Sequence, residues 1–144
     1  MLIREFYRIL KNPGYLIIST PNILEIRSRI RFLFSGFYNK FKRPLNESKI
    51  SFSSHINPIT YPELRYILHV SGFKIETVTV NQIKFQSFFY LPLVPFIKMY
   101  TYISLLHREK DPAQRNINSE IARQMINIST LLGETLIVLA KKNI

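Results

Sequence analysis

Cysteine is absent from the 144 residues, which rules out disulfides, thiolate metal ligands and a cysteine nucleophile, and agrees with a reducing compartment. Histidine is nearly as scarce. His55, His69 and His107 stand far apart and beside no acidic cluster, so no metal site is expected. The four glycines (14, 36, 72 and 133) are scattered; no G-x-G-x-x-G turn is present to let backbone approach a nucleotide phosphate. The opening "MLIREFYRIL", interrupted by Arg4, Glu5 and Arg8, lacks the continuous apolar core of a signal peptide. Export is therefore not expected, a cytoplasmic location is, and the N-x-S triplets at Asn46 and Asn127 read as chance matches to a glycosylation pattern.

Acidic side chains are also few, nine against twenty Lys and Arg, for a net charge of +11. Such a surface attracts phosphate or anionic lipid, although net charge says little about fold. Between Arg27 and Lys49 there are seven bases and one acid, Glu47, so that window supplies +6 of the excess. With 47% hydrophobic and 20% charged residues, the chain has the composition of one globular domain with a real core.

Leu2, Ile3, Phe6, Ile9 and Leu10 repeat at helical spacing up to Asn12-Pro13-Gly14, a stop signal. "YLIIST" (15 to 20) then reads as a strand buried on both faces of a parallel sheet. Ile23, Ile26, Ile30, Leu33 and Phe37 predict a helix closed by Gly36, with Glu25 four residues ahead of Arg29 and with Arg27 and Arg31 on the opposite side. Residues 38 to 59 are basic and turn-rich and read as a loop. Thr60-Tyr61-Pro62-Glu63 is a capping box opening a helix that buries Leu64, Ile67 and Leu68 and ends at Gly72. "FKIETVTV" (73 to 80) alternates like a strand, with a change of phase at Val78 and Val80. An apolar run from Phe88 to Leu106 is broken by Pro92, Pro95 and Lys98. Residues 112 to 130 have helical spacing, and "ETLIVLAKK" (134 to 142) is a last strand. The order is that of the second half of a doubly wound α/β sheet.

"FYRILKNPGYLIISTPN", "HINPITYPELRYILHVSGFKIETV" and "LLGETLIVLAKK", in that order, resemble the C-terminal part of class I S-adenosylmethionine-dependent methyltransferases. There a helix ending in L-K-P-G-G leads to the fifth strand, an HxxxFTxxELxxLLxxAGF segment leads to the sixth, and the last strand inserts antiparallel beside the fifth. Asn12, Tyr15 and Ile59 depart from those patterns, and the insert at about 85 to 130 matches nothing diagnostic. The resemblance implies the C-terminal half of a Rossmann-like sheet, with one parallel strand plus an antiparallel pair flanked by helices. It implies S-adenosyl-L-methionine as cofactor and methyl transfer to a small-molecule, sugar or lipid-linked acceptor. It also implies a partial domain over 1 to 144, because the cofactor-binding strands have no counterpart here. No residue of this chain is expected to bind the cofactor, and the isolated chain is expected to be inactive unless the N-terminal half is supplied in trans.

Substrate-side candidates are Ser19, Thr20, Pro21 and Asn22, at the carboxyl end of the first strand where open α/β sheets bind ligands, and His55 on the loop before the capped helix. His55 is also the candidate catalytic base, as an activating base is needed only for a weak nucleophile. Pro21-Asn22 equally reads as a strand stop, and His55 as a loop residue with no chemical role. His69 reads as a boundary residue, and nothing pairs with His107. "RSRIRFLFSGFYNKFKR" (27 to 43) interleaves bases and aromatics. It reads either as a helix with solvated arginines or as a basic module for an anionic membrane or, less favourably, nucleic acid. The run from 88 to 106 fits a lid, a peripheral membrane contact or a buried core helix; its prolines and Lys98 oppose a transmembrane span.

Overall fold

The computed structural model describes residues 2–48, 58–107 and 109–143; His55 and Arg108 lie outside the described residues. Helix α1 (Leu2–Ile9) leads into strand β1 (Tyr15–Pro21), followed by α2 (Ile26–Ser35), α3 (Tyr61–Val70) and β2 (Phe73–Val80). A 3-10 segment (Phe85–Leu93), α4 (Val94–Tyr102), a π-type turn (Ile103–His107), α5 (Pro112–Met125) and α6 (Ile128–Leu132) precede the last strand, β3 (Thr135–Lys142).

The three strands form one open sheet in the order β1-β3-β2. Both pairings are antiparallel, Tyr15 opposite Lys141 through Pro21 opposite Thr135, and Phe73 opposite Lys142 through Val80 opposite Leu136. The expected parallel pairing of β1 is not present; among the described residues its only neighbour is β3, and its other edge is open. Burial of β1 on both faces is likewise corrected. Leu16 and Ile18 pack into the core, whereas Tyr15 is 54% and Ile17 69% exposed. An apolar strand reads as doubly covered only when layers lie above and below it, and the outer face of β1 has none. The phase change read in "FKIETVTV" is a β-bulge between Ile75 and Thr77, which puts Val78 opposite Val138.

The main core joins Leu64 and Leu68 of α3 and Phe73 of β2 to Leu136, Val138 and Ala140 of β3, with Phe6, Tyr7 and Leu10 packed against them. Helix α3 is started by the expected capping box: Thr60 accepts from the Glu63 N–H, and the Glu63 carboxylate accepts from the Thr60 N–H. It stops at Gly72, whose φ of +92° favours glycine and whose missing side chain makes room for the Tyr7 ring, 2.6 Å from where a Cβ would sit. A second cluster, Ile26, Val94, Ile126, Leu131 and Leu132, ties α2 to the insert. Arg65, buried in α3, grips Glu120 of α5 with two hydrogen bonds of 3.1 and 2.9 Å, and Tyr61 donates to Gln124 beside it.

Leu68→Ala should lower unfolding free energy by about 2–5 kcal/mol, because its side chain is fully buried and would leave a cavity. Thr60→Ala, which removes one cap bond at an exposed helix start, should cost about 1 kcal/mol. Urea midpoints of the two variants should rank in that order.

Candidate functional site

The carboxyl end of β1 turns into α2 through Pro21-Asn22-Ile23-Leu24-Glu25. Asn22 is buried, and its amide donates to the carbonyls of Thr130 and Gly133 at 2.6 and 2.8 Å, while its Oδ1 accepts from the Leu24 N–H. Its hydrogen-bonding capacity is thus spent fastening β1 to the α6–β3 turn. Ser19 is exposed and Thr20 and Pro21 half-buried in the ladder with β3. The structure brings Ser19, Thr20, Pro21 and Asn22 to one sheet end, and none of the four lines the cavity beside α2 described below.

The polar centre of this end is a residue that the sequence reading passed over. Glu134, buried just before β3, accepts from Arg27 Nη2 at 2.7 Å, Lys84 Nζ at 2.7 Å, Lys40 Nζ at 3.3 Å and Gln82 Nε2 at 3.2 Å. These donors come from α2, from the loop after it and from the segment after β2. Burial pushes the Glu134 carboxyl up, but the hydrogen bonds from Lys84, Arg27 and Gln82 and the charge of Lys40 outweigh it and hold the group down at about 2. Nothing in the sequence at Glu134 signals this role; the neighbouring clue is the basic window from Arg27 to Lys49, which needs a counter-charge somewhere.

Glu25 is buried as well. It pairs with Arg27 Nη2 at 3.6 Å and accepts from Asn39 Nδ2 at 2.8 Å, leaving Oε2 without a partner. The expected helix pair between Glu25 and Arg29 is not formed: Glu25 is the residue before the first helical turn, off the ridge that carries i and i+4 side chains. Arg29 instead donates from Nε to the Leu24 carbonyl at 2.7 Å. Burial pushes the Glu25 carboxyl up; the Asn39 hydrogen bond and the charge of Arg27 only partly oppose it.

Helix α2 keeps most of its apolar stripe inward, with Ile23 buried and Phe37 half-buried. Ile26 is buried and Ile30 half-buried as expected, but Leu33 is 77% and Phe34 83% exposed, while the Arg27 side chain is only 12% exposed. Arg27, expected in solvent, points inward to Glu134. Between α2 and the 3-10 segment lies a cavity of about 360 Å³, with Arg27 and Arg31 facing Gln86 and Tyr90 and with Phe34 and Asn39 at its walls. Arg31 donates to the Lys42 carbonyl at 3.1 Å and has no carboxylate partner among the described residues. No group of three or more His, Asp or Glu side chains able to hold a metal occurs among the described residues. No family model matches the chain, and no curated protein matches its sequence.

The Glu134 carboxyl is ordinary when unfolded, 4.5, and about 2 when folded. Its contribution, about 3 kcal/mol, is thus complete above the unfolded value and lost as pH falls from about 4.5 toward 2. Glu25 has the opposite sign: its raised folded value subtracts stability as pH rises above 4.5. Glu134→Gln should therefore cost about 3 kcal/mol near neutral pH and flatten the loss between pH 4.5 and 2. Chemical denaturation across that range measures both effects.

Proposed function

We propose that this chain supplies the acceptor side of an S-adenosyl-L-methionine-dependent methyltransferase domain with a Rossmann-like sheet. The observation that carries the reading is the strand order. The last strand runs antiparallel beside β1, as the sequence resemblance implies for the last and fifth strands of that family, and pairs antiparallel with β2 on its other side. The capping box ahead of α3 and the turn at Gly72 support it from a second stretch. The open edge of β1 and its bare outer face are suited to further parallel strands and a helical layer.

The chemistry assigned to the chain is binding and orientation of the acceptor. Methyl transfer from a sulfonium is a displacement in which alignment and exclusion of water carry much of the rate. The cavity beside α2, at the carboxyl end of β1, is where ligands of open α/β sheets bind. No residue is assigned to the cofactor. Amide shifts monitored while S-adenosylmethionine is titrated into the chain alone should not move. The same titration after association with a segment supplying the preceding strands, sought in the sequence encoded immediately upstream, should show binding. Binding by the chain alone, or none by the pair, would contradict the proposal.

Peripheral contact with an anionic membrane is the second reading, favoured by one observation. The segment Phe85–His107 is long and apolar enough to cross a membrane by length and composition, yet only 11% of its most apolar window is buried. That exposure favours a surface contact, and Pro92, Pro95 and Lys98 suit a surface-lying segment better than a span. Sedimentation with anionic vesicles, lost in neutral vesicles and weakened by high salt, is the expected result; indifference to lipid charge would remove this reading.

A further inference from the structure

We infer that the cavity between α2 and the 3-10 segment is a binding site for a phosphate-bearing amphiphile, the phosphate held by Arg31 and Arg27 and the apolar part lying on the aromatic surface beside them. Charge comes first. Among the described residues, Arg27, Arg31, Lys40 and Lys84 gather at this end of the sheet with two carboxylates, Glu25 and Glu134, paired to them. Glu134 engages three of those cations and leaves Arg31 without a carboxylate among the described residues. An inward-facing arginine carries a desolvation cost that an anion in the cavity would offset.

The donor set selects the kind of anion. Arg27 and Arg31 stand on successive turns of one helix; Arg27 Nη2 is committed to Glu134 and the Asn39 amide to Glu25, so the Arg31 fork, with one N–H on the Lys42 carbonyl, and Arg27 Nη1, which donates only to Gln86 Oε1 at 3.4 Å, supply the planar N–H donors that suit the oxygens of a phosphate. The shape selects the rest of the ligand. About 360 Å³ is room for more than a phosphate, and the walls at Phe34 and Tyr90 are aromatic. Phe34 is 83% exposed, and Phe85, Phe88 and Phe89, which flank Gln86 in the chain, form a ring cluster with centroids 6.0 to 6.3 Å apart, with Phe85 and Phe89 more than 70% exposed. A cationic recess opening onto exposed aromatic surface is complementary to a ligand with an anionic head and a hydrocarbon tail.

Octyl phosphate, octanol and inorganic phosphate titrated separately into the intact chain, followed by amide shifts, test the assignment. No methyl donor is needed, so phosphate recognition and methyl transfer stand or fall separately. Octyl phosphate should bind at least about tenfold more tightly than either of the others. Arg31→Gln should remove that advantage while leaving octanol binding unchanged, and Phe34→Ser should bring octyl phosphate down toward inorganic phosphate. Should Arg31→Gln fail to fold, Arg31→Lys, which keeps the charge and loses the planar fork, should give an intermediate loss. Octyl phosphate binding no tighter than octanol, or unchanged in the folded Arg31 variant, would overturn phosphate recognition. Inorganic phosphate binding as tightly as octyl phosphate would overturn the amphiphile.

Discussion

A single buried carboxylate organises one end of this protein. Glu134 sits where β3 begins, and its oxygens collect Arg27, Lys84, Lys40 and Gln82 from three separate stretches of chain. Breaking such a cluster at one member strands the others, since the charges left behind stay partly buried without a counter-ion. Arg27 reaches Glu134 from the first turn of α2, while Leu33 and Phe34 at the far end of the helix stand in solvent. Arg27 thus belongs both to this ion cluster and to the lining of the cavity.

The opposite side of the molecule is held by different physics. Tyr61, Leu64 and Leu68 close over β3 by ordinary apolar burial, helped by a helix start that satisfies its own N–H groups and by a glycine that lets Tyr7 come close. The two regions meet at Asn22, whose amide bridges the end of β1 to the turn before β3. Its bonds fasten the β1–α2 turn to the α6–β3 turn.

Much of the local structure could be read in the sequence, because its signals are local. The Thr60–Glu63 capping box, the stops at Gly36 and Gly72, and even the bulge in β2, announced by the phase change at Val78, each depend on residues a few positions apart. What could not be read was long-range. "YLIIST" looks doubly buried, yet the same string serves on a sheet with one covered face, since apolar content records what a strand tolerates and not what covers it. The burial of Arg27 was hidden for the same reason: the charge that draws it in is a glutamate about a hundred residues away. Asn22 was singled out for its place at the strand end, and the structure gives it a fastening role; His55 lies outside the described residues.

The central claim is that Glu134 is ionised and held by a cationic cage. Its carboxyl carbon can be followed by NMR as the protein is acidified. The account predicts a midpoint of about 2 with concerted shifts at the Arg27 and Lys84 side chains. A midpoint at the ordinary 4.5, with those side chains unmoved, would contradict it.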